Sequence, residues 1–195
     1  TEKPLGKFQA SNKHDVEHAV KAAEKSLPIW KETPAPERAE YLFKITRILK
    51  RHKERLARIE TKEMGKVLKE TKGEVKEAID IFEFMAGEGR RLYGITTPSE
   101  LKNKFNATVR IPLGIVGLIT PWNFPMAIPS WKLAPALICG NTIIFKPSSD
   151  TPQSAYELIK IIEKAKVPKG IVNMITGSGR EVGAPIIKHP KVNAI

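Results

Sequence analysis

The sequence predicts an α/β fold built on a parallel sheet with flanking helices. Two nearly uncharged apolar runs, residues 115–120 and Thr142–Lys146, have the pattern of strands that are buried on both faces. Each run stops at a proline, Pro121 or Pro147, which has no backbone N–H to donate to a sheet. Residues 126–140 are apolar on most of their surface, as in a helix that is packed on several sides. Strand, helix and strand in this order predict a βαβ unit with parallel strands.

Four amphipathic helices are predicted before this unit. Apolar residues recur at spacings of three and four, as on one face of a helix, in segments 11–27, 37–52, 53–64 and 69–93. Pro34 and Pro36 separate the first two segments, and Gly65 is expected to end the third. We interpret all four as core-forming helices, because their apolar stripes contain no recognisable chemical constellation.

Residues 102–111 alternate polar and apolar side chains, which is typical of a half-exposed strand. A strand of this kind has a free edge that favours pairing with another chain. Beyond the βαβ unit, the pattern predicts alternating helices and strands at 151–165, 171–176, 181–188 and 192–195.

Composition limits the possible partners. The 195 residues suit one globular domain, and the formal net charge of +12 invites a nucleic-acid interpretation. However, acidic residues are interleaved with the basic ones, and the densest basic cluster, 50–58, contains no aromatic residue to stack on bases. We therefore expect no nucleic-acid partner.

The sequence also predicts no metal site and a cytoplasmic location. A single cysteine excludes an internal disulfide and any multi-cysteine metal site, and His14 and His18 have no third ligand nearby. No apolar run reaches the ~18 residues of a membrane span. The first residues lack the apolar stretch of a signal peptide, so we expect no membrane partner.

Asn123 and Lys146 stand where the two central strands are predicted to end. Ligands of open parallel sheets bind at these carboxyl ends. The Asn123 carboxamide can donate to an oxygen that becomes anionic, and Pro121 and Pro125 stiffen its turn. The Lys146 ammonium can bind ribose hydroxyls or a phosphate. From the residues alone, an asparagine here is also typical of a turn or a helix cap.

Two other groups of residues have alternative interpretations. Aromatic and apolar side chains around the turn can wall a substrate channel or belong to the core: Trp122, Phe124, Ile128 and Trp131. The lone Cys139 suggests a nucleophile, but we expect it to be buried at the end of an apolar helix. An apolar setting raises the thiol pKa and suppresses the thiolate, so we expect no catalytic role.

The glycines at 177, 179 and 183 are a weak signal. In the dinucleotide fingerprint the third glycine comes one residue earlier, and an acidic residue follows about 20 residues on.

Three segments together resemble the aldehyde dehydrogenase superfamily: PWNFP (121–125), WKLAPALICGNTIIFKPSSDTP (131–152) and VPKGIVNMITGSGREVG (167–183). The resemblance extends over the whole chain but covers only about the first two-fifths of such an enzyme. It implies an incomplete Rossmann-like domain with a helical N-terminal part (1–94), an oligomerisation arm (95–111) and an NAD(P)-binding part (112–195).

The resemblance implies an oxidoreductase that converts an aldehyde to a carboxylic acid through a thiohemiacetal on a cysteine, working as a dimer or tetramer. Asn123 would hold the oxyanion. The implied cofactor-binding residues are Ile119, Thr120, Pro121, Trp122, Asn123, Lys146, Ser148, Ser149, Gly179 and Gly183. The implied substrate pocket contains Phe124, Ile128 and Trp131. Many NAD-preferring members have Glu where this chain has Ser149, so NADP is expected to be at least tolerated alongside NAD.

The family's nucleophilic cysteine and general-base glutamate follow much later than residue 195. The chain alone is therefore expected to be inactive. Two other hypotheses remain open at this point: a non-catalytic fragment that assembles with a complementary chain, and a basic nucleic-acid-binding module.

Overall fold

The computed structural model describes residues 4–195; residues 1–3 of the predicted helical part lie outside this range. Three helices come first, followed by two very short strands and then alternating strands and helices. Their bounds are α1 Lys13–Glu32, α2 Ala35–Met64, α3 Leu68–Glu88, β1 Thr96–Thr97, β2 Asn106–Ala107, β3 Ile115–Ile119, α4 Ala127–Ile138, β4 Thr142–Lys146, α5 Pro152–Lys164, β5 Val172–Met174, α6 Ala184–Lys188 and β6 Val192–Ala194.

The predicted α/β class and parallel sheet are confirmed. Four strands form one sheet in the order β5-β4-β3-β6, and every pair in it is parallel. The chain moves outward from β3 to β5 and then returns to place β6 on the other side of β3. This reversal of direction creates the crevice in which open α/β sheets bind ligands.

Helices cover both faces of the sheet. Successive residues of a strand point to opposite faces, so each central strand contributes to two core clusters. Val116 and Phe145 belong to a large core cluster formed with α2, α3, α4 and α5. Ile115 and Ile144 belong to a second cluster formed with α1 and with the residues around α6. Both central strands are therefore buried on two sides, as their uninterrupted apolar sequences predicted.

The first predicted helix ended too early. An Asn12–Asp15 capping box starts α1, which then continues through Pro28 to Glu32. Proline normally disrupts a helix interior. Here, the last turn is held by tertiary contacts: Trp30 is fully buried, and its indole N–H donates to the carbonyl oxygen of Leu137 at 3.1 Å.

The predicted division into helices 37–52 and 53–64 was wrong. A single 30-residue helix, α2, spans both segments and ends at Gly65, whose φ of 84° favours glycine. Residues 37–64 contain neither glycine nor proline, so nothing in the sequence interrupts the helix. Leu49 and Leu56 are both fully buried on its core-facing side, across the predicted boundary.

The predicted strand at 102–111 was also wrong. Only β1 and β2 pair there, antiparallel, and they are two residues long. Residues 101–111 are all exposed, so neither face of this hairpin packs on the described part of the chain. Near the other end, the predicted helix 181–188 begins with a π-helical turn, Gly179–Gly183, whose first turn is capped by the hydroxyl of Ser178.

Candidate functional site

The two central strands end side by side. Ile119 of β3 pairs with Lys146 of β4, and the backbone N–H of Thr120 donates to the carbonyl oxygen of Lys146 at 3.2 Å. A proline follows in each chain segment and ends the pairing. The structure therefore brings the Asn123 turn and the Lys146 turn together at the carboxyl edge of the sheet.

Asn123 lies in the turn between β3 and α4 and is half-buried. Its backbone carbonyl accepts a hydrogen bond from the Lys66 ammonium, with 2.5 Å between Nζ and O. The side-chain Oδ1 is buried and has no hydrogen-bond partner among residues 4–195. Within the described residues, a neighbouring group thus holds the backbone oxygen of Asn123 but not its side-chain oxygen.

The aromatic residues of this turn are not core residues in the described chain. Trp122 and Trp131 are 54% and 43% exposed. Phe124 and Ile128 are partly buried, and the Phe124 and Trp131 rings lie 6.3 Å apart between centroids. These side chains form an accessible apolar surface beside Asn123.

Lys146 is buried and faces the α1/α6 side of the sheet. Its ammonium donates to the carbonyl oxygen of Pro147 at 2.9 Å. Burial lowers the pKa of Lys146, and the nearby Asp150 carboxylate opposes this shift. Gly183 and Ile119 adjoin the lysine: a Cβ built on Gly183 would lie 3.7 Å from Lys146 Cδ and 3.9 Å from Ile119 Cδ1.

Two serines order the turn after β4. Ser148 donates to Asp150 Oδ2 at 3.3 Å and accepts from the Asp150 backbone N–H at 3.2 Å. Ser149 is exposed, and its hydroxyl donates to the carbonyl oxygen of Gly177 at 3.0 Å. The turn after β4 is thus tied to the turn after β5.

One position of the glycine segment requires glycine, and it is not one of the two glycines predicted to bind the cofactor. Gly177 has φ of 155°, and a Cβ there would lie 2.6 Å from Val182 Cγ2 and 2.9 Å from the Ser11 carbonyl oxygen. A Cβ on Gly179 would meet nothing within 4 Å, so the backbone borders open space. The only indication of this requirement in the sequence was that Gly177 is the first glycine of the segment.

Comparisons with known proteins agree on one family. The model of the aldehyde dehydrogenase family matches residues 1–195. The chain belongs to this family. The alpha-ketoglutaric semialdehyde dehydrogenase of Bacillus subtilis is 44% identical over 191 residues, which cover 98% of this chain and 39% of that protein. The chain therefore spans about two-fifths of that relative, and it corresponds to the N-terminal portion of the family's members.

Solved structures of the family superimpose closely on this aldehyde dehydrogenase chain. An Escherichia coli NADP-dependent enzyme has a TM-score of 0.95 and 38% identity, covering 97% of this chain and 40% of that one. Betaine aldehyde dehydrogenase from Staphylococcus aureus, in complex with NAD+, has a TM-score of 0.95 and 33% identity, covering 98% and 39%. One of these two relatives is thus NADP-dependent, and the other was solved with NAD+ bound.

Cys139 was wrongly expected to be buried. It follows the last residue of α4 and is exposed. Surrounding protein still raises the pKa of the Cys139 thiol by desolvation, and the positive charges of Arg38 and Arg110 oppose this shift. The thiol lies at the far end of α4 from the Asn123 turn.

A buried charged cluster was missed, because we had assigned segments 53–64 and 69–93 to the core alone. It consists of Glu60 on α2, Glu74 on α3 and Lys66 in the loop between them. Lys66 forms an ion pair with Glu74 Oε1, and its ammonium lies 3.8 Å from the centroid of the Phe124 ring. The available signal was a glutamate inside an apolar stripe, since Glu60 is buried on the same side of α2 as Leu56.

Neither a metal-ligand cluster nor a membrane-spanning helix is present in residues 4–195. No group of three or more His, Cys, Asp and Glu side chains in this range is arranged to hold a metal ion. No helix in the same range is long and apolar enough to span a membrane.

Proposed function

We propose that these residues form the cofactor-binding portion of an NAD(P)-dependent aldehyde dehydrogenase that oxidises an aldehyde to a carboxylic acid. The observation that carries this proposal is the juxtaposition of the Asn123 and Lys146 turns at one edge of the parallel sheet, in a member of this family. One turn offers an oxyanion donor and the other offers groups that bind a dinucleotide. The chemistry requires both at the same crevice.

Asn123 is proposed to donate its side-chain N–H to the substrate oxygen. A cysteine thiolate adds to the aldehyde carbonyl, and the carbonyl oxygen of the resulting thiohemiacetal carries the negative charge. A preorganised amide stabilises this charge more than it stabilises the neutral aldehyde, so it lowers the barrier. Phe124, Ile128 and Trp131 are proposed to form the apolar wall of the substrate pocket.

The described residues fit an NAD(P) cofactor. Lys146 and Ser149 offer an ammonium and a hydroxyl at the carboxyl edge, and Gly179 borders open space that a nucleotide can approach. When bound, the cofactor accepts the hydride that the substrate releases. The other proposed contacts come from Ile119, Thr120, Pro121, Trp122, Ser148 and Gly183. Because Ser149 carries no negative charge, NADP is proposed to be accepted at least as readily as NAD.

The exposed hairpin supports a proposal about assembly. Phe105 and Val109 are 78% and 79% exposed, and every residue from 101 to 111 is exposed. Apolar groups exposed to this degree mark interaction surfaces. We propose that residues 95–111 form the arm through which the full-length enzyme assembles as a dimer or tetramer, and that the enzyme acts in the cytoplasm.

The function is tested by comparing this chain with the full-length enzyme that carries it. The full-length enzyme is expected to form NADPH or NADH from an aldehyde, which absorbance at 340 nm measures. The purified chain alone is expected to form none. Cofactor reduction by the chain alone that disappears in Cys139→Ala would overturn this division, and a full-length enzyme inactive on every aldehyde tested would overturn the proposed reaction.

A further inference from the structure

The Asn123 turn is held from outside its own segment by Lys66. The Lys66 ammonium binds three groups at once: the Asn123 carbonyl oxygen, the Glu74 carboxylate and the face of the Phe124 ring. Hydrogen bonds that involve an ionised donor are stronger than neutral ones, and cation–π contact adds to the attraction. The carbonyl of Asn123 is therefore fixed by a charged residue 57 positions earlier in the chain.

Two buried glutamates adjoin Lys66, and one of them, Glu74, forms the ion pair with it. Glu74 is almost fully buried, and Glu60 beside it is completely buried, with no donor within reach of either Glu60 oxygen among residues 4–195. Burial, followed by the adjoining Glu74 group, raises the pKa of Glu60 to about 10. Glu60 is thus neutral at physiological pH, and the ion pair of the cluster is the one between Lys66 and Glu74.

This anchor matters because the Asn123 side chain has no equivalent one. Within residues 4–195 its Oδ1 has no hydrogen-bond partner, so the orientation of the carboxamide depends there on the backbone of the turn. A displacement of about 1 Å in a catalytic group can reduce a rate by roughly 100-fold.

We propose that Lys66 is a positioning residue for aldehyde oxidation, which fixes the Asn123 backbone so that the carboxamide meets the oxyanion, while Glu74 seats Lys66. This inference rests on the proposed function. It assigns a rate effect to a cluster that lies in the helical part of the chain and that reaches the turn through the Asn123 carbonyl and the Phe124 ring.

The test uses Lys66→Met in the full-length enzyme, which keeps the apolar stem and removes the charge and the donors. The rate of acyl-enzyme formation in single turnovers is expected to fall about 10- to 100-fold, while KM for NADP changes less than about twofold. Lys66→Arg, which restores a charged donor, is expected to recover most of the rate. Lys72→Met is the matched control, because Lys72 on α3 likewise forms an ion pair with a glutamate, but with Glu54 of α2 at the surface. It is expected to leave the rate unchanged.

A double variant decides whether Lys66 acts through Asn123. Lys66→Met combined with Asn123→Ala is expected to be no slower than Asn123→Ala alone. Slowing that multiplies in the double variant, or an equal loss of rate in Lys72→Met, would show a general structural effect and overturn the inference. If Lys66→Met does not fold, Glu74→Gln replaces it in the same comparison, with an expected fall of a few-fold.

The outcomes separate this inference from the proposed function. If Asn123→Ala itself leaves acyl-enzyme formation unchanged, the role of Asn123 is wrong. If Asn123→Ala slows that step while Lys66→Met and Glu74→Gln do not, only the positioning role of Lys66 is wrong.

Discussion

The turns after β3 and β4 are neighbours with similar beginnings but are held in different ways. Each follows a buried strand and starts at a proline. The Asn123 turn is anchored by a partly buried lysine that belongs to a buried charged cluster between two helices. The Lys146 turn is ordered mainly by its own hydroxyl groups, and the hydrogen bond from Ser149 to Gly177 lies at the surface.

The two turns therefore differ in how far a substitution in each is expected to disturb the rest of the structure. A substitution in the buried cluster is expected to disturb helix packing and the proposed oxyanion donor together. A substitution at Ser149 meets solvent, so it can change the charge next to a cofactor without rearranging the core. We therefore expect the first turn to control the rate and the second to control the choice between NAD and NADP.

The largest expected effect is at Asn123. In the full-length enzyme, Asn123→Ala is expected to lower kcat by about 10²–10³, the usual result of removing one oxyanion donor. Asn123→Asp keeps the side-chain shape but replaces the N–H donor with an acceptor oxygen, so it is expected to be at least as slow. Single-turnover formation of the acyl-enzyme measures both. A normal rate in Asn123→Asp would show that shape, not donation, is the contribution of this residue.

The next largest effect concerns the cofactor. If Ser149 faces the cofactor as proposed, Ser149→Glu is expected to place a carboxylate near the 2′ position of the ribose, where it would repel the phosphate of NADP. Two unit charges ~4 Å apart repel by ~1 kcal/mol in water and ~4 kcal/mol at an effective dielectric of 20. At ~1.4 kcal/mol per tenfold, the ratio of kcat/KM for NADP over NAD is expected to fall roughly 10- to 100-fold, chiefly through KM for NADP.

Ser149→Gln is the matched control for this substitution, because it has nearly the size of Glu without the charge. Its cofactor ratio is expected to stay closer to that of the parent enzyme than to that of Ser149→Glu. Equal ratios in all three enzymes would show that residue 149 does not face the 2′ position.

A smaller effect concerns stability in the buried cluster. Because the folded-state pKa of Glu60 is raised above its unfolded value, the folded protein binds a proton that the unfolded chain loses above about pH 4.5. The contribution of Glu60 to stability therefore decreases as the pH rises from that value towards about 10. Lys66 opposes the shift, and Glu74 and Glu63 reinforce it.

Glu60→Gln removes this pH dependence, because an amide does not titrate. The free energy of unfolding of the variant minus that of the parent is expected to be at least ~1 kcal/mol larger at pH 8 than at pH 5, since one pKa unit corresponds to ~1.4 kcal/mol. Thermal unfolding at the two pH values measures this gain. Glu74→Gln, which removes the partner of Lys66, is expected to destabilise the protein at both. A Glu60→Gln variant less stable than the parent at pH 8 would contradict a neutral Glu60.

Local sequence patterns predicted the sheet well and the support of the site poorly. The strands 115–120 and Thr142–Lys146 were predicted nearly to the residue, because burial on both faces requires an uninterrupted apolar run between prolines. Nothing local connects Lys66 to Asn123, because their hydrogen bond depends on how α2 and α3 pack against α4. The prediction of a strand at 102–111 failed for a related reason. An alternating pattern predicts one buried face, but residues 101–111 are all exposed in the described chain.

The smallest expected effect is at Cys139, at the other end of the helix that begins after the Asn123 turn. The 12 residues of α4 separate the two sites by roughly 18 Å, at 1.5 Å per residue. A nucleophile must approach within about 3–3.5 Å of the reacting carbon, so Cys139 cannot act on a substrate held by Asn123. Its raised pKa also keeps the thiol protonated at neutral pH. Cys139→Ala in the full-length enzyme is therefore expected to leave kcat/KM within about twofold of the parent value, which steady-state assays measure. A loss of kcat/KM comparable to that of Asn123→Ala would contradict the assignment of Cys139 to a non-catalytic position.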